Sequence, residues 1–158
     1  MIPLRDTVPS RSFPLMTLAL IIVNTVVFLY ELRLGPALER FLLIYGFVPV
    51  RFSEAEPWNL PARFVPLFSS MFLHGSWLHL IGNMWTLWIF GDNVEDRLGK
   101  SRYLLYYLVC GLAAVYLHYL TGPHSKMPVV GASGAIAGVM GGYFVLFPRA
   151  QVVTLLPI

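Results

Sequence analysis

Gly131-Ala132-Ser133-Gly134-Ala135-Ile136-Ala137-Gly138 opens an apolar run that continues to Phe147 and is closed by Pro148 and Arg149. Without the serine and its flanking glycines, the run reads as a plain membrane helix. With them, its start looks chemical. A helix N-terminus leaves backbone N–H groups free and presents the positive end of the macrodipole, and glycine on either side of Ser133 allows close approach and unusual dihedrals. Gly134, Gly138 and Gly142 also fall at four-residue spacing, a stripe that lets one helix lie close against another. Each feature has a plain reading when taken alone: a serine at a helix start usually caps that helix, and a glycine stripe usually serves packing.

A second polar element stands upstream. His79 and Asn83 are four residues apart in another apolar run, so they share one helix face. Polar side chains are costly in hydrocarbon unless paired, and a bond to a neighbouring helix would account for both. Beside Ser133 they take on a different meaning, because acyl transfer needs a nucleophile together with donors aimed at the developing oxyanion.

Composition sets the surroundings. The chain is 57% hydrophobic and 12% charged, about half the charge of an ordinary soluble domain, which makes its 158 residues one membrane domain. The net charge of +3 does not point to nucleic acid, since the basic residues flank apolar runs as membrane anchors do. Cys110, the single cysteine, excludes an intrachain disulfide and reads as a small buried apolar residue. The first apolar run lacks a small-x-small cleavage site and reads as an anchor that stays.

Four spans follow from the apolar runs: about residues 13–32, with Thr17, Asn24 and Thr25 as polar interruptions, then 76–94, 103–120 and 131–147. Residues 152–158 read as the start of a fifth. The fold class is therefore all-α, a polytopic transmembrane helix bundle. The 33–75 connection mixes charges with Trp58, Phe64 and other aromatics, and its prolines at 36, 49, 57, 61 and 66 exclude one straight span. Such a segment suits the membrane interface, either as a structured loop or as a lateral wall. Arg97, Lys100 and Arg102 in the 91–102 turn, against Lys126 alone in 121–130, put the N-terminus inside. The expected location is the cell membrane, with the N-terminus cytoplasmic.

Three motifs now stand in order. Gly131-Ala132-Ser133-Gly134 is similar to the Gly-x-Ser-Gly motif of the rhomboid family of intramembrane serine proteases. His79 through Asn83 resembles that family's His-x-x-x-Asn motif, and Glu95-Asp96-Arg97 its Glu-x-Arg motif. The resemblance implies a six-helix core that cleaves transmembrane protein substrates within the lipid bilayer, with Ser133 as nucleophile and His79 and Asn83 stabilising the oxyanion. It implies a partly embedded first loop over 33–75, and neither metal nor cofactor. The sequence departs from the family in three places. The family's base histidine, on a sixth helix, has no matching position, and all four histidines here precede Ser133. Ala137 stands where many members carry an aromatic, and Trp58 is followed by Asn59 rather than arginine. His118 and His124 read as interfacial residues. Residues 1–158 are thus expected to form a single rhomboid-like domain incomplete at its C-terminus and inactive alone. The rival is a non-catalytic relative that binds transmembrane segments. A channel is weaker still, because the spans lack the acidic or basic residues that often carry ions.

Overall fold

The computed structural model describes residues 2–56 and 58–155. Among them are seven α-helices: α1 Leu15–Arg33, α2 Leu38–Tyr45, α3 Pro49–Glu54, α4 Leu60–Ser69, α5 Trp77–Leu98, α6 Lys100–Thr121 and α7 Ser133–Leu146. Two strands, β1 Ile2–Asp6 and β2 Val152–Leu155, pair antiparallel. The chain is mainly helical, as expected, with this small sheet as an addition.

The molecule buries several polar groups within its apolar core and exposes many apolar side chains. Thr17, Asn24, Glu31, Asn83, Asn93 and Glu95 are buried, whereas Ile22 and Val26 of α1, Leu105 and Leu117 of α6 and Val145 of α7 are exposed. In water this arrangement would be costly. In a bilayer the outward apolar side chains meet lipid while inward polar groups find partners inside the bundle, as Thr17 does with Glu95. The dry core lies among α5, α6 and α7, where Leu87, Val94, Tyr103, Tyr107, Val139 and Tyr143 are fully buried.

Two helices, α1 and α6, are long and apolar enough to cross a membrane singly. Leu60–Phe72 and α5 are together long and apolar enough for a further span or a re-entrant loop, and they meet at a bend of 79°. α7 has 14 residues, about 21 Å at 1.5 Å per residue, so it is shorter than the expected 131–147 span. Its start is delayed by the turn at Gly131, and it stops at Leu146 because Pro148 pushes the preceding Phe147 out of the helical region. Val152–Leu155 departs from the expected helical start: these residues, rich in β-branched side chains, pair with β1. Residues 156–158, also assigned to that span, lie outside the described residues.

The 33–75 connection is structured. Pro49 opens α3 and Pro61 opens α4, positions where the missing N–H costs nothing; Pro57 lies outside the described residues. Phe47 and Phe52 pack with Tyr119 of α6, with ring centroids 6.5 and 5.2 Å away, and Ser53 Oγ lies 3.0 Å from the Tyr119 hydroxyl. This fastens the connection to one end of α6 and leaves Trp58 and Phe64 exposed.

Candidate active site

The turn before α7 is held from the side of the first loop. Phe47 and Val129 exchange both backbone hydrogen bonds, at 3.0 and 2.8 Å, and Gly131 N donates to the Ser70 carbonyl at 2.8 Å. Gly131 has φ +124°, a conformation L side chains rarely adopt. Ala132 occupies the N-cap position and its carbonyl accepts from Ile136 N at 3.0 Å. Ser133 is therefore the first residue of α7. It is exposed, and among the described residues its hydroxyl has no hydrogen-bond partner. It does not cap its helix, so the plain reading of an N-terminal serine is not met, and the N–H groups of the first turn stay free of intrahelical acceptors.

His79 and Asn83 reach the same place from α5. Ser76 caps that helix, its Oγ accepting from His79 N at 3.2 Å. This puts His79 in the first turn, and Asn83 one turn further on is buried. A Cβ placed on Gly131 would lie 2.6 Å from His79 Cε1 and Nε2 and 3.7 Å from Asn83 Nδ2. Gly131 thus needs to be glycine for its dihedral and again for the imidazole against it. All three expected site residues converge around the Gly131–Ser133 turn.

The glycine stripe brings α7 against α6. Side chains at Gly134 and Gly138 would collide with Ala114 and Cys110, and one at Gly142 would meet the Tyr106 hydroxyl at 2.9 Å. The Tyr106 hydroxyl donates to the Gly138 carbonyl at 2.7 Å. A cavity of about 170 Å³ opens beside Ser133, lined by Gly111, Ala114, Gly134 and Val130, with His118 on its wall. Small residues set its width. Neither His118 nor His124 hydrogen-bonds Ser133.

Sequence reasoning passed over two neighbours. His74 is buried, with Nε2 3.0 Å from Asn83 Nδ2 and its ring edge-on to His79 at 5.0 Å. Its backbone N donates to the Glu31 carboxylate at 3.3 and 3.2 Å. Glu31 lies inside the 13–32 run, so that span does hold an acidic residue, contrary to the expectation, and an acid there by default marks a paired interior group. His74 carried little beyond its place at the end of the 33–75 connection, shortly before His79.

The third motif lies away from the serine. Glu95 Oε1 accepts from Met16 N at 2.9 Å, and Oε2 accepts from Thr17 N and Thr17 Oγ1, both at 2.8 Å. Asp96 accepts from Ser12 Oγ at 2.6 Å. Glu95 thus caps α1, whose own N-cap, Pro14, provides no side-chain bond, and Asp96 holds the segment just before it.

A family model for the Rhomboid domain matches residues 61–158. The chain belongs to the Rhomboid family. It is 32% identical over 126 residues to presenilin-associated rhomboid-like protein A, mitochondrial, of Danio rerio, covering 78% of this chain and 31% of that protein. It is 32% identical over 111 residues to RHOMBOID-like protein 5 of Arabidopsis thaliana, covering 70% and 34%. It is 30% identical over 139 residues to Rhomboid protein 1, mitochondrial, of Saccharomyces cerevisiae, covering 85% and 37%. The chain thus spans about a third of the length of the curated relatives it matches. With this membership and its membrane-length helices, it is an integral membrane protein of the rhomboid type.

Proposed function

We propose that this rhomboid domain, taken as one unit over residues 1–158, belongs to an intramembrane serine endopeptidase acting on transmembrane protein substrates. The observation that carries the reading is the exposed, unbonded Ser133 hydroxyl at the start of α7, two residues beyond a glycine that lies against His79 and Asn83. In this reading α1, α5, α6 and α7 are the membrane-crossing elements, and the N-terminus lies on the inner side. The cell-membrane assignment gains nothing from relatives of which two are named mitochondrial.

The chemistry follows from the parts. A substrate segment enters from the bilayer and presents a peptide carbonyl at the α7 N-terminus. Ser133 Oγ attacks the carbonyl carbon. The oxygen gains negative charge beside the free N–H groups of α7, with Asn83 Nδ2 and His79 as side-chain donors. Neither His118 nor His124 bonds the serine, and the proton acceptor this reading calls for is the family's base histidine on a sixth helix. No metal or cofactor takes part in any step.

The test uses protein expressed from the complete reading frame and reconstituted in liposomes with a transmembrane substrate. Ser133→Ala abolishes cleavage and labelling by a fluorophosphonate. Asn83→Ala lowers kcat by about 10²–10³-fold, the cost of losing one oxyanion donor, while the protein stays folded. Residues 1–158 alone do not cleave, because loss of the base in a Ser–His system costs on the order of 10⁶ in turnover. Binding of the substrate segment without cleavage or labelling would replace the protease with the non-catalytic binder.

A further inference from the structure

His74 has no part in the reaction just described, yet it is one of the most constrained side chains near the site. It is 2% exposed. Its backbone is clamped by the Glu31 carboxylate, and its ring is closed off on one side by the His79 imidazole. Nε2 meets Asn83 Nδ2 at 3.0 Å, and Nδ1 has no partner within hydrogen-bond geometry.

We propose that His74 is a positioning residue: its Nε2 lone pair accepts one N–H of the Asn83 amide and so fixes the other N–H toward the Gly131–Ser133 turn. The argument rests on which atom is shared. Asn83 Nδ2 is the amide atom close both to His74 Nε2 and to the space above Gly131. An amide has a donor end and an acceptor end of nearly equal shape, so geometry alone lets either end face the turn. A bare Nε2 admits only the donor end. A protonated Nε2 would draw the carbonyl end into that place and set an oxygen lone pair against the developing oxyanion. With Nε2 engaged by Asn83 as an acceptor, the imidazole proton resides on Nδ1, which has no other partner among the described residues.

The inference rests on the protease reading, and its test separates the two. With protein from the complete reading frame, His74→Leu lowers kcat on the order of 10²-fold, the loss a misplaced group brings, and leaves KM unchanged. His74→Gln, whose amide oxygen also accepts, recovers most of that loss. In an Asn83→Ala background His74→Leu costs nothing further, whereas a purely structural role would give additive losses. Additive losses with Ser133 still required overturn the role of His74 alone; cleavage that survives Ser133→Ala overturns the protease reading. A second measurement needs no turnover. In the 158-residue chain labelled with ¹⁵N-histidine in micelles, His74 shows a bare Nε2 and a protonated Nδ1, and the Nε2 resonance moves in Asn83→Ala. A proton on Nε2 overturns the proposal whatever the activity.

Discussion

Glu95 is a motif member whose work lies far from the motif's chemistry. Its two oxygens accept from Met16 N, Thr17 N and Thr17 Oγ1, and the Thr17 hydroxyl also lies 3.2 Å from the Tyr103 hydroxyl. Glu95→Ala strips these buried donors of their acceptor, a loss of about 1–3 kcal/mol, while Glu95→Gln keeps one acceptor oxygen and loses less. Thermal unfolding in detergent micelles, followed by circular dichroism, reads the order alanine below glutamine below wild type; equal midpoints would mean that water substitutes for the carboxylate. Ser133, His79 and Asn83 were legible from residue type and spacing because a polar side chain in hydrocarbon demands a reason. His74 and the capping by Glu95 were not, since their partners are fixed only by tertiary contact between α5 and the chain before it.

At the scale of the element, the contact between α6 and α7 depends on glycines that are not interchangeable. A side chain at Gly138 meets Cys110, whereas one at Gly141 meets nothing within 4 Å. Gly138→Val therefore costs about 1–3 kcal/mol by overpacking, and Gly141→Ala is neutral or gains up to about 1 kcal/mol in helix propensity. Unfolding midpoints of the two variants check this, and equal losses would show that both act through the helix itself. The long apolar runs announced α1, α5, α6 and α7, although α5 runs on to Leu98 and α7 begins late. The short helices α2, α3 and α4 were illegible as helices. Pieces of 6 to 10 residues carry too few turns for a periodic pattern.

Across the whole molecule, the two ends of the described chain pair with each other, and β1 lies against α5. Asp6 accepts from the Tyr143 hydroxyl at 2.6 Å and from Asn93 Nδ2 at 2.8 Å, and Trp85 Nε1 donates to the Pro3 carbonyl at 2.6 Å. Deleting residues 1–8 should speed backbone hydrogen exchange in the last turn of α7 and leave exchange at its first turn unchanged, because Ser70 and Phe47 hold that end independently. Faster exchange at both ends would mean the strap also supports the serine. The sheet itself was not legible: Val152–Leu155 is apolar enough to pass for a helix start, and only its pairing with β1 identifies it as a strand. The buried polar groups carry a consequence for biosynthesis. The α1 N–H groups find their acceptor 78 and 79 residues later, and Glu31 finds His74 43 residues later. At about 5–20 residues per second, the ribosome needs roughly 4–16 s to supply Glu95. For that interval a newly inserted α1 carries an uncapped end and a carboxyl group lacking its native donor, so the nascent helix has reason to linger against the insertion machinery until α5 emerges.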